Sequence, residues 1–189
     1  MGKSIEIEVR MPEVEIRPAV RNDLTSLVTI EHAYQSQYVW QMDRMIEDGQ
    51  VVINFRQTRL PRPVRVETGP TPLLNEENWS RYQALLVAML DQVLVGYIGL
   101  SDQLAPKTIW VTDCAVAEGQ RRKGIGAALM LAAQEWGVEH GFRRVIVEME
   151  SKNYPAIQLV RKLGYEFSGY NDHYYTNQDI ALFFSRSLR

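Results

Sequence analysis

The chain has 189 residues, 46% hydrophobic content, a formal net charge of −2 and a single cysteine. That length suits one domain with a short extension, and the near-neutral charge excludes a general basic surface for nucleic acid. One cysteine excludes an internal disulfide, no apolar run approaches the ~18 residues of a membrane span, and the start lacks a signal-peptide core, so the pattern predicts a cytoplasmic protein with no membrane partner.

In chain order, residues 1–12 read as an extended N-terminal lead-in and 13–189 as one domain. Val14 to Ala19 alternates like a strand. A helix is predicted from Asn22-Asp23-Leu24, with Leu24, Leu27, Val28 and Ala33 at helical spacing. Residues 34–80 carry no interpretable motif. They hold Tyr34, Tyr38 and Trp40, then Arg56, Arg59, Arg62 and Arg65, then a Gly69-Pro70-Thr71-Pro72 loop. Ala84–Met89 and Leu94–Leu100 read as a hairpin turning through Asp91-Gln92. A strand over Lys107–Val116 and a helix over Ala127–His140 with Gly141 past its end follow. Next come a strand over Val145–Met149, a helix capped by Asn153 with Pro155 in its first turn, and a closing antiparallel pair, Tyr165–Tyr170 with Ile180–Phe184. The order predicts an α+β fold with a mixed central sheet flanked by helices.

The most informative stretch is Arg121-Arg122-Lys123-Gly124-Ile125-Gly126-Ala127. It joins an apolar strand to an amphipathic helix. The first N–H groups of a helix have no internal partner and lie at its positive end, and glycine lets an anion approach the main chain. The P-loop pattern fails because no Lys-Ser or Lys-Thr follows either glycine. The dinucleotide fingerprint fails because Leu129 stands where a third small residue belongs.

The pattern Arg121-x-x-Gly124-x-Gly126 resembles the pyrophosphate loop of the GNAT superfamily, the acyl-CoA-dependent N-acyltransferases. Its context fits too: Ile109–Val116 before it, Val145–Met149 after the helix, then Asn153-x-x-Ala156 leading to Leu163-Gly164-Tyr165. The segments Gly169–Tyr175 and Asp179–Phe184 are similar to the end of streptothricin acetyltransferases. The resemblance implies a GNAT fold and acetyl-CoA as co-substrate, with no metal. It implies that the backbone of Cys114, Ala115 and Val116 bonds the pantetheine arm and that the Val116 N–H polarises the thioester carbonyl. Arg122, Lys123, Gly124, Ile125, Gly126 and Ala127 would cradle the pyrophosphate with Arg121 adding charge beside them, and Asn153 would bond the CoA arm, cap its helix, or do both. Many relatives dimerise, which makes a homodimer an expectation.

A free alkylamine of pKa ~10 needs about 4 kcal/mol to lose its proton near pH 7, so direct attack calls for a base. Glu148 is the first candidate and Asp113 the second. Cys114 reads better as a small strand-packing residue than as a nucleophile, because no His is near it in sequence. The family's usual acid, a tyrosine, falls at Val160. Tyr174 and Tyr175 become candidates, with Tyr174 expected to act as a catalytic residue beside Glu148 and Asp113. The resulting expectation is acetyl transfer to a primary amine of a small antibiotic- or polyamine-like molecule. A protein N-terminal or lysine acetyltransferase and a non-catalytic acyl-CoA sensor remain alternatives.

Overall fold

The computed structural model describes residues 14–67 and 74–189. The expected lead-in over 1–12 and the Gly69–Pro72 loop lie outside the described residues. The elements are β1 Glu15–Pro18, α1 Leu24–Leu27, β2 Tyr34–Glu47, β3 Gln50–Val66, β4 Ala84–Leu90, β5 Val93–Ser101, β6 Thr108–Val116, α2 Ile125–Glu139, β7 Arg144–Glu150, α3 Tyr154–Lys162, β8 Glu166–Asn171 and β9 Ala181–Ser187.

Seven strands form one sheet in the order β1-β4-β5-β6-β7-β9-β8. Only β6 and β7 run parallel, because α2 carries the chain back between them. The sheet buries both faces. On one, α2 and α3 cover Val95, Ile98, Ile109, Val145 and Phe184. On the other, α1 packs Leu24 and Leu27 against Val87 and Tyr97. The two-residue turn Asp91-Gln92 has left-handed φ at both positions, as a tight hairpin requires. The last strand in sequence, β9, inserts between β7 and β8.

Two expectations are corrected. The first helix is one turn long: the chain leaves helical geometry after Leu27, and Val28 is exposed. Ala33, read as the end of that helix, is buried in the approach to β2. The motif-poor region from Tyr34 onward is a second, two-stranded sheet in which β2 pairs with β3 from Tyr34↔Val66 to Glu47↔Gln50. Its turn is Asp48-Gly49, with φ of 39° and 81°. Leu60, Pro61, Arg62 and Pro63 fall at the register break opposite Gln37, where missing N–H donors disturb no ladder. The ribbon base packs on α3 and on the β8–β9 pair: Trp40 and Phe55 of the ribbon meet Phe167, Trp40 also meets Phe184, and the Tyr38 ring lies tilted against Tyr154 of α3.

The β5–β6 contact leaves no room for a side chain at Gly96, where an added Cβ would stand 2.9 Å from the Ala115 carbonyl oxygen and 3.3 Å from Leu129 Cδ1. Gly96→Ala should therefore destabilise the fold by about 1–3 kcal/mol, read as a lower denaturation midpoint with an unchanged slope.

Candidate active site

The site begins with a bulge. In the β5–β6 ladder Leu100 faces Val111 and Gly99 faces Asp113, so Thr112 is the extra residue. Its hydroxyl bonds the Gly99 carbonyl. A bulge bends its strand. Consistent with that, β6 pairs with β7 only from Thr108↔Arg144 to Val111↔Val147, and no pairing with Glu148–Glu150 follows. Beyond Val111 the two parallel strands part.

Alternation fixes what the gap offers. Ala117 donates its N–H to the Val95 carbonyl on β5. Antiparallel pairing alternates, so the N–H groups of Cys114 and Val116 point away from β5, toward the gap. The gap leads to the start of α2. Gly124 caps that helix with φ 86°, with nothing within 4 Å of where its Cβ would stand. The first helical bond is Ala128 N–H to Gly124 O, so the N–H groups of Ile125, Gly126 and Ala127 have no carbonyl within the helix. Arg122 and Lys123 are exposed beside them. Asn153 accepts from Ala156 N–H at 3.2 Å with its side-chain oxygen, which makes it the cap of α3 and leaves its amide nitrogen for other bonds.

Three residues depart from expectation. Cys114 is exposed, not packed away. Desolvation by the surrounding protein, with the Asp113 carboxylate beside it, pushes its thiol up to about 12 and disqualifies it as a thiolate nucleophile. Arg121 does not lend its charge to the loop: its guanidinium donates to the carbonyls of Val116, Ala33 and Glu31. Asp113 is buried, accepting from Tyr97 O–H at 2.6 Å with His32 Nδ1 at 3.7 Å. Because the single Tyr97 proton goes to Asp113, the 2.9 Å contact between Tyr97 and His32 Nε2 has the imidazole donating. Asp113 is thus tied into the fold and presents no open carboxylate.

Glu148 lies half-buried on β7 where the strands have parted. Tyr174 and Tyr175 each donate to one of its oxygens at 3.2 Å. Burial raises the Glu148 carboxyl above its usual range, against the opposing pull of the two phenols. Glu150, two residues on, shares the face. It accepts from Tyr34 O–H at 2.6 Å and from Asn177, which also reaches Asp179. Asp179 pairs with Lys152. Among the described residues neither Glu148 nor Glu150 has a salt bridge. A crevice of about 350 Å³ between Trp40 and Met42 on the ribbon and Asp172 and Asp179 on the β8–β9 connection adjoins this cluster. A larger groove of about 890 Å³ runs along the C-terminal half of α2 and holds none of these residues. Glu150 is legible as the strand-face neighbour of Glu148, whereas His32, Tyr34 and Asn177 were not signalled by any sequence motif, since their contacts form only in the fold. Val160, where the family places a tyrosine, is buried in the core.

A family model described as Acetyltransferase (GNAT) family matches residues 52–165. The chain belongs to the GNAT family. Within that family it is 33% identical over 85 residues to a streptothricin acetyltransferase of Streptomyces lavendulae, 45% of each chain. It is also 33% identical over 124 residues to an N-alpha-acetyltransferase of Sulfurisphaera tokodaii, covering 59% of this chain and 74% of that one. The match thus spans less than half the length of the streptothricin relative. The fold superposes on nourseothricin acetyltransferase with a TM-score of 0.79 at 22% identity, over 93% of this chain and 99% of that one. A protein from Bacillus anthracis str. Ames solved in complex with acetyl coenzyme A gives 0.76 at 18%, over 94% and 99%. At such identities the likeness speaks for the fold. GNAT enzymes use acetyl-CoA, and the parted strands with an open helix N-terminus suit a long ligand with a diphosphate. Among the described residues no cluster of His, Cys, Asp or Glu could hold a metal, and no helix is long and apolar enough to cross a membrane.

Two outcomes follow. Gly124→Val forces a branched side chain into left-handed backbone, so coenzyme A affinity by calorimetry should fall at least about tenfold while the far-ultraviolet spectrum is kept. Glu148→Gln tests the raised carboxyl pKa through stability. Between the ordinary glutamate pKa and the raised native one, the unfolded chain loses its proton first, so native stability falls as pH rises through that window. The variant should therefore melt higher than the parent at pH 7, with the difference shrinking near pH ~3.5, below the ordinary value.

Proposed function

We propose that this protein transfers the acetyl group of acetyl-CoA to a primary amine of a small cationic molecule, antibiotic- or polyamine-like, by direct attack in a ternary complex. The observation that carries the reading is Glu148: a half-buried carboxylate with raised pKa, without a cationic partner among the described residues, at the mouth of the gap between β6 and β7. An incoming ammonium is drawn to Glu148 and Glu150. Glu148 then takes its proton, and the raised pKa brings the base closer to neutrality, where proton transfer is most effective.

Acetyl-CoA supplies an activated acyl group. The N–H groups of Ile125, Gly126 and Ala127, with Arg122 and Lys123, would hold its diphosphate, and Asn153 is placed to bond its arm. The N–H of Val116 would face the acyl oxygen, and such a donor contributes about 3–4 kcal/mol where charge develops. Tyr174 and Tyr175 hold the Glu148 carboxylate in one orientation, and Tyr174, the more exposed phenol, is the proton source nearest the base. The lone cysteine is compatible with a reducing, cytoplasmic setting.

A second reading, acetylation of protein N-termini, is supported by the sequence match to the Sulfurisphaera tokodaii N-alpha-acetyltransferase. The chemistry favours the small amine: Tyr174 and Tyr175 hold Glu148, Glu150 shares its face, and Tyr34 of the ribbon bonds Glu150. Thiol release from acetyl-CoA with polycationic amines and with N-terminal peptides separates the two readings, and silence with both would leave an acyl-CoA sensor. With the preferred amine, kcat/KM should rise with pH through a pKa above that of free glutamate. Glu148→Gln should lower it about 10²–10⁴-fold at pH 7, with part of the loss recovered at alkaline pH as the amine deprotonates unaided.

A further inference from the structure

We infer that Arg121, the first residue of the anion loop, is a positioning residue that fastens the acceptor wall to the acetyl-CoA strand instead of contacting the diphosphate. The assignment of those two sides rests on the function proposed above; the fastening itself does not.

The guanidinium reaches across two parts of the chain. Its Nε donates to the Val116 carbonyl at 2.8 Å, one Nη donates to the Ala33 carbonyl at 2.7 Å, and the other to the Glu31 carbonyl. A planar fork with fixed donors suits three carbonyls in this arrangement, and no other side chain offers as many. Val116 is the last residue of β6, whose N–H faces the gap. Glu31 and Ala33 belong to the link between α1 and β2. That link leads directly to Tyr34, the phenol bonded to Glu150.

The link has two further anchors. The His32 ring turns inward onto Tyr97, which is tied to Asp113 on β6. The Glu31 carboxylate is held by Arg65 of β3, which also holds Glu67. Arg121 is the only one of these that arises from the anion loop. Arg122 and Lys123, its neighbours, are exposed. A ligand that orders residues 121–127 therefore also steadies residues 31–34, and by reciprocity an acceptor seated against Tyr34 steadies the loop.

Arg121→Lys and Arg121→Ala decide the matter. A lysine keeps the charge but cannot span three carbonyls. With coenzyme A as probe, calorimetry should give dissociation constants within threefold of the parent for both variants. Hydrogen exchange by mass spectrometry should show amides of residues 31–38 exchanging at least tenfold faster in both. With an amine accepted by the parent enzyme, its KM should rise at least tenfold while kcat stays within threefold. The inference falls if Arg121→Ala loses tenfold or more in coenzyme A affinity, if Arg121→Lys restores parental exchange, or if exchange over 31–38 is unchanged. Calorimetry and exchange need no turnover, so a parent protein inactive on every amine would overturn the proposed function and leave this test intact.

Discussion

A strand in the interior of a sheet normally has its main-chain donors paired on both sides. Here β6 stays paired with β5 from Trp110 to Val116 but leaves β7 after four positions, because the additional residue Thr112 turns it aside. The remaining N–H groups on that side, at Cys114 and Val116, become a ladder edge inside the molecule. Backbone polar groups removed from water need partners. A ligand arm that enters as a surrogate strand meets that need, and the helix start at Gly124 receives its anionic end. The parallel pairing of β6 with β7 makes this geometry available, since the crossover helix must begin where the strands finish.

The acceptor side follows different physics. Its groups are carboxylates, phenols and one amide from distant parts of the chain: Glu148 and Glu150 from β7, Tyr34 from β2, and Tyr174, Tyr175 and Asn177 from the β8–β9 connection. Crowding anions in half-buried surroundings disfavours the folded state. The phenols offset part of that burden, yet Glu148 keeps a raised pKa. Such tolerated strain is common where stability yields to chemistry.

Legibility in the sequence tracked distance along the chain. The anion loop, the flanking strands, α2, the cap at Asn153 and the closing strand pair all declare themselves over a few neighbouring residues. The short first helix was overread because Ile30 and Ala33 continue to be buried after the chain has left helical geometry at Leu27, so an apolar period persisted without a helix. The ribbon went unread although Tyr34, Tyr38, Trp40 and Met42 alternate with Gln35, Gln37, Gln41 and Asp43; from Asp43 on β2 is exposed on both faces, and the adjacent pairs Met45-Ile46 and Val51-Val52 break the alternation. Its Asp48-Gly49 turn, flanked by Met45-Ile46 and Val51-Val52, was the available signal. Arg121 shows a subtler limit. Pattern located the loop, but not the direction of a side chain whose acceptors are carbonyls about ninety positions away.

The interleaved order β7-β9-β8 has a consequence for synthesis. When β8 emerges, the site at which it will dock does not yet exist, because β9 must first add to β7 and offer its other edge. At translation speeds of about 5–20 residues per second, the intervening sixteen or so residues take on the order of a second. Until β9 is in place, Phe167 and Tyr170 lack their partners Phe184 and Leu182. The nascent polypeptide is then most open to chaperones, and to mispairing with a sister copy on the same messenger.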